Sequence, residues 1–154
     1  MILHMERNEE MIVSRVDEMI ARCRESGMNV TPQRIAVYRA LLASPEHPTP
    51  EMLFTAVSSA MPTMSLATVY KSLEALQTLG LVREVPVVSD SRRYDANLEA
   101  HHHLVCESCG SVSDYYSDSI LAKMPRRKIS GFSPRSVTVN ITGTCARCTG
   151  SSRS

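Results

Sequence analysis

Apolar residues recur at helical intervals through the first half of the chain. Ile12, Val16, Met19, Ile20 and Cys23 fall on one stripe, and Gly27 predicts where that helix ends. Thr31-Pro32 reads as an N-cap followed by proline at the first helical position, with Ile35, Tyr38, Leu41 and Leu42 as the apolar face. Thr49-Pro50 repeats that signal before Leu53, Phe54 and Val57. Ser65 caps a fourth segment in which Leu66, Val69, Leu73 and Leu76 are spaced by three or four, with Gly80 beyond its end. The pattern then changes. Residues 81–88 are apolar and β-branched, Ser89-Asp90-Ser91 reads as a turn, and 92–95 as a return strand. Helices followed by a two-stranded hairpin are the order of a winged helix, a helix-turn-helix variant.

The second half alternates differently. Short β-favouring runs at 103–105, 111–116 and 136–142 surround one modest helical stretch at 118–124, and the tail from 149 reads as disordered. The break falls at 96–100. The expected architecture is α+β: a winged-helix domain over 1–96 ending in a hinge, then a small α/β domain over 97–154. The 154 residues are 43% apolar and 21% charged, which excludes compositional disorder and leaves room for one or two small cores. Five cysteines are too sparse, and odd in number, for a disulfide framework. No run of 18 apolar residues occurs, and no basic segment leads into an apolar stretch at the N-terminus. The expectation is a cytoplasmic protein without a membrane partner. Net charge is +1, but residues 1–100 carry ten Lys+Arg against thirteen Asp+Glu, and 101–154 carry seven against three. The helical half therefore lacks a generic basic footprint for nucleic acid.

Two groups of residues carry chemistry. Cys106-x-x-Cys109 and Cys145-x-x-Cys148 are two knuckles 35 residues apart. A redox CxxC or unrelated buried cysteines are alternatives, but two knuckles in so small a domain favour a tetrahedral structural Zn²⁺. Four thiolates close its coordination sphere. Cys23, on an apolar stripe, reads as core. Four of the five histidines lie in two places: His47 before a helix start, and His101-His102-His103 at the domain break. On a strand His101 and His103 share a face and His102 points away. With Asp95 and Asp114 they make a mixed N/O set suited to Fe²⁺ or Mn²⁺. Spacing leaves other readings open: a solvated strand end for the triplet, a loop residue for His47, an exposed carboxylate for Asp114.

The ordered set Thr31-Pro32-Gln33-Arg34, His47-Pro48-Thr49, Ser65-Leu66-Ala67-Thr68-Val69-Tyr70, Leu76, Gly80-Leu81-Val82, Arg93-Tyr94-Asp95, His101 to Gly110 with its first knuckle, and Cys145-x-x-Cys148 resembles the ferric uptake regulator family, most of all its peroxide-sensing branch. The resemblance implies a homodimeric, metal-dependent DNA-binding transcriptional regulator with an N-terminal winged helix and a C-terminal dimerisation domain. It implies a regulatory Fe²⁺ or Mn²⁺ on His47, Asp95, His101, His103 and Asp114, and oxidation of His47 or His101 when peroxide meets the ferrous form. It also implies that the segment from Ser65 reads double-stranded DNA with an inverted repeat. Thr68, Tyr70 and Lys71 are the groove-facing candidates, because Tyr70 lies off the stripe of Val69, Leu73 and Leu76. Arg92, with Arg83 and Arg93, is expected to contact backbone from the wing. Residues 133–142 hold no His, so no third metal site is assigned, and His102 is expected to be a spectator. An iron-availability repressor, or a zinc-stabilised winged helix without a sensory metal, are the alternatives. An enzyme is not expected: a zinc deaminase would carry Glu two residues after its ligand His and Pro before its CxxC, where this chain has His103 and Val105.

Overall fold

A computed structural model describes residues 9–86, 91–119 and 129–150. The chain forms two compact units, one ending at Leu98 and the other beginning at Glu99.

The first unit is built on four helices: α1 (Glu9–Glu25), α2 (Pro32–Ala43), α3 (Pro50–Ser58) and α4 (Leu66–Thr78). Their starts are set by side chains. The hydroxyls of Thr31, Thr49 and Ser65 accept the backbone N–H of Arg34, Met52 and Thr68 at 3.2, 3.2 and 3.1 Å, and prolines follow the first two caps. Their ends are set by glycine. Gly27 and Gly80 adopt φ of 70° and 69°, and the next residue closes each helix through Met28 N–H to Cys23 O and Leu81 N–H to Leu76 O. The core takes Met19 and Cys23 from α1, Val37 and Tyr38 from α2, Leu53 from α3 and Val69, Leu73 and Leu76 from α4. Val37 is fully buried where Ile35 was expected; Ile35 packs at the edge. Ser72 also joins the buried face of α4, its hydroxyl satisfied by Thr68 O at 2.8 Å. Burial pushes the Tyr38 phenol up, while Arg15 donates to its oxygen at 3.2 Å and to Ala96 O at 2.9 Å.

The wing is shorter than the pattern suggested. Strand β1 (Arg83–Glu84) pairs antiparallel with β2 (Tyr94–Asp95), placing Arg83 opposite Asp95. Leu81 and Val82 are buried in the helical core rather than paired, and Pro86 has no N–H to donate to a ladder. Residues 87–90, with most of the expected turn, lie outside the described residues.

The second unit is a three-stranded sheet of order β4-β3-β5, with β3 (His102–Cys106), β4 (Val112–Tyr115) and β5 (Asn140–Gly143). β3 and β4 are antiparallel with His103 opposite Asp114; β3 and β5 are parallel with Cys106 opposite Gly143. Residues 136–139 were expected in a strand but precede it, although Val139 O still accepts the His103 N–H at 3.0 Å. The short helix α5 (Ala146–Thr149) starts directly after Cys145, so Thr149 is helical where the sequence was expected to become disordered. Residues 151–154 lie outside the described residues, as do 120–124 of the helical stretch expected at 118–124; Asp118 and Ser119 are helical. Among the described residues no helix is long and apolar enough to cross a membrane.

Candidate functional site

Strand pairing assembles the cysteines. The parallel register sets Cys106 beside Gly143, two residues before Cys145, and Glu107 N–H bonds Gly143 O at 2.8 Å. Gly110, at φ 69°, turns the first knuckle back so that its N–H reaches Cys106 O at 2.8 Å. The four thiols offer sulfurs within 4.8 Å of one another, with Cys109 and Cys145 Sγ 3.8 Å apart. Sulfurs at ~2.3 Å from a tetrahedral Zn²⁺ lie about 3.8 Å apart, so the donor set fits that ion. The backbone N–H of Cys145, 3.3 Å from Cys106 Sγ, leads the interactions that hold the Cys106 thiol down at about 6. The Cys148 thiol is pushed up to about 12, chiefly by its hydrogen bond with Cys145. The thiols thus share their protons unequally, and a cation entering the set displaces those that remain.

The histidines and carboxylates form two sets, one in each unit. In the first, His47 lies in the buried turn before α3, and Asp95 ends β2. His47 Nδ1 is 3.6 Å from Asp95 Oδ1, and both side chains are about 96–97% buried. The wing fixes them. Arg93 Nη1 donates to His47 O at 2.7 Å, Tyr94 N–H to Pro48 O at 3.1 Å, and Asn97 N–H to Asp95 Oδ1 at 2.7 Å. Arg83 Nη2 stands 3.5 Å from Asp95 Oδ2. Arg83 and Arg93, read from sequence as wing cations for DNA backbone, therefore lie against Asp95 and His47.

In the second unit His101 precedes β3, His103 lies on it, and Asp114 faces it from β4. Their donor atoms lie within 4.8 Å of one another, and the imidazoles of His101 and His103 meet edge to face at 4.8 Å. His101 Nδ1 is 2.8 Å from Glu99 O. A carbonyl only accepts, so Nδ1 carries a proton, and Nε2 faces Asp114 Oδ1, 3.1 Å away, either as the second donor of an imidazolium or with its lone pair toward the carboxylate. A carboxylate and an imidazole nitrogen this close share either a proton or a metal cation, and donors in adjacent positions on one ion at ~2.1 Å lie about 3.0 Å apart. The residues fit a metal on chemical grounds. Tyr116 completes the surround, its ring 5.6 Å from His101 and its hydroxyl donating to Asp114 Oδ2 at 3.4 Å. His102 faces elsewhere, as its strand position requires, but is fully buried. Its Nδ1 accepts the Val139 N–H at 3.1 Å and so ties β3 to the approach of β5.

On α4, Tyr70 and Lys71 are exposed and Thr68 is half-buried, its hydroxyl 2.8 Å from the Ser65 hydroxyl. The Tyr70 hydroxyl donates to Glu51 Oε1 of α3 at 3.1 Å. Arg92 is exposed on the wing, with Nε 3.8 Å from Glu84 Oε1. Glu51, Asn97, Tyr116 and the Glu99 carbonyl carried no sequence signal; each acts through a contact that no motif spacing encodes.

The family model of the ferric uptake regulators matches residues 25–142. A peroxide-responsive repressor from Staphylococcus epidermidis is 32% identical over 140 residues, covering 90% of this chain and 93% of that protein. The peroxide-sensing regulator of Streptococcus pyogenes superposes with a TM-score of 0.52 at 28% identity, over 87% of this chain and 92% of that one. The Helicobacter pylori ferric uptake regulator shares the fold at a TM-score of 0.75 and 21% identity, over 90% and 93%. This chain belongs to the ferric uptake regulator family, whose members are dimeric, metal-responsive DNA-binding regulators of transcription.

Proposed function

We propose that this regulator responds to hydrogen peroxide. In this reading residues 1–96 bind DNA, residues 97–154 pair two copies of the chain, and Cys106, Cys109, Cys145 and Cys148 hold a structural Zn²⁺. His47 and Asp95 from one unit join His101, His103 and Asp114 from the other around one Fe²⁺ or Mn²⁺. The observation that carries the reading is the pairing of buried imidazole with carboxylate: His47 with Asp95 and His101 with Asp114. Buried ionised groups are costly without a compensating charge, and a divalent cation supplies it.

A ferrous ion held by these five residues would supply the electrons that reduce peroxide, and with them an oxidant of short range. The chain's residues decide the rest. His47 and His101 offer oxidisable rings, one in each unit. Adding an oxygen to either ring weakens it as a donor, and the units lose their common ligand. DNA affinity follows, provided that metal and DNA favour the same state of the chain. Thr68, Tyr70 and Lys71 on α4 meet the major groove, Arg92 the backbone, and two copies read an inverted repeat in successive grooves.

The test uses protein purified without oxygen, loaded with Fe²⁺ or Mn²⁺, and a duplex selected from a random library with the Mn²⁺ form. Peroxide is expected to release the Fe²⁺ form from the duplex and to add the mass of one oxygen to His47 or His101, while the Mn²⁺ form stays bound. Equal responses of the two forms, or no added oxygen on either histidine, would overturn peroxide sensing and leave an iron-availability repressor.

A further inference from the structure

The exposed face of α4 carries one polar contact that its helix did not require. Tyr70 is 41% exposed, yet its hydroxyl does not simply point to solvent: it donates to Glu51 Oε1 at 3.1 Å. Glu51 sits in the first turn of α3, where backbone N–H groups favour an anion. Its carboxyl is held below the ordinary range, first by the N–H of its own backbone and then by the Tyr70 hydroxyl. The same bond raises the Tyr70 phenol. Glu51 is therefore a fixed anion and a committed acceptor.

A phenol has one proton to give. With it directed at Glu51, the oxygen presents only lone pairs outward. DNA phosphates are acceptors and negatively charged, so they are refused twice, by the lone pairs and by the carboxylate. In the major groove the guanine N7 and O6, adenine N7 and thymine O4 are also acceptors. The donors are the exocyclic amino groups of adenine and cytosine. We propose that Glu51 is a specificity-determining residue: by taking the Tyr70 proton it makes the phenol oxygen select an adenine or cytosine amino group and reject phosphate. The proposal rests on the reading above that α4 enters the groove.

The test selects duplexes from a random-sequence library with the full-length Mn²⁺-loaded protein and its Glu51→Gln, Glu51→Ala and Tyr70→Phe variants. Sequencing the bound pools reads the preference at every position. Wild type is expected to prefer adenine or cytosine at one position of each half-site by about tenfold, and Tyr70→Phe to lose that preference. Glu51→Gln keeps a carbonyl to accept the same proton and should retain it. Glu51→Ala should lose it and bind unselected duplex severalfold more tightly, because the outward-facing hydroxyl is free to donate to phosphate. Tighter binding of unselected duplex by the Ala variant also shows that its loss of preference is not misfolding. A Glu51→Ala pool identical to wild type, or a Tyr70→Phe pool that keeps every preference, overturns the proposal while DNA reading by α4 stands. Enrichment of no sequence by wild type removes the reading on which it rests.

Discussion

Arg93 provides a sharp test of what the wing does. Its guanidinium donates to His47 O at 2.7 Å across 46 residues of sequence. Replacing it with methionine keeps the apolar stem and deletes a charge-assisted hydrogen bond on a half-buried side chain, worth about 1–2 kcal/mol. Two backbone bonds, Tyr94 N–H to Pro48 O and Val85 N–H to Arg93 O, still hold the strand. The fold should survive with a loss of about 1 kcal/mol, a fall in Tm of roughly 5 °C. The larger effect falls on the His47 ring, because partners that orient a metal ligand are typically worth 10–100-fold in affinity, or about 1.4–2.8 kcal/mol. Removing a cation opposes this. At one Debye length, about 8 Å, in a water-like dielectric, one charge and a divalent ion interact by about 1 kcal/mol. Positioning therefore wins, and Arg93→Met should bind Mn²⁺ about twofold to twentyfold more weakly, measured by titrating free Mn²⁺ by electron paramagnetic resonance. If Arg93 instead neutralises a phosphate, Mn²⁺ affinity stays unchanged and the salt dependence of DNA binding loses about one unit of slope. That outcome would refute the positioning argument.

Three further outcomes are expected. Ser65→Ala removes the acceptor for Thr68 N–H at the start of α4 and should cost about 1 kcal/mol, seen as a fall in Tm; an unchanged Tm would contradict the capping role. Cys109→Ser opens the thiolate set and should abolish zinc retention with loss of near-native circular dichroism from the second unit; retained stoichiometric zinc would show that the other three cysteines suffice. Zinc retention against a chelator should weaken as pH falls. Binding displaces protons, Cys106 held at about 6 recovers its proton only near that pH, and Cys148 near 12 must always surrender one. Stronger retention at pH 6 than at pH 8 would reverse the sign.

The helical half was legible because its signals are local. Caps at Thr31, Thr49 and Ser65 and stops at Gly27 and Gly80 act within one turn, and the stripes of α1 and α4 repeat every three or four residues. The cysteine knuckles were legible for the same reason. The strands were not, since their limits depend on partners: Leu81 and Val82 satisfy the helical core instead of a ladder, and β5 begins only where its parallel register with β3 permits. At the candidate site the residue types suggested a metal, but spacing left His47 and Asp114 with ordinary readings. Only their pairing with Asp95 and His101 gave them a common chemistry. The bond from Arg93 to His47 O was not legible, because an exposed arginine on a wing and one bonded to a distant carbonyl look alike in sequence. His102, read as a spectator to the metal set, lies outside that set and ties β3 to Val139 through a contact 37 residues away, which no spacing encodes.

The central claim is that a cation held by ligands from both units governs DNA binding. It is tested most directly by the Mn²⁺ dependence of affinity for a selected duplex, compared among wild type, His47→Ala and Asp114→Ala. Wild-type affinity should rise steeply with Mn²⁺, and each single change, though in a different unit, should flatten that rise while the zinc content stays at one ion per chain. A full Mn²⁺ response in either variant would contradict the account.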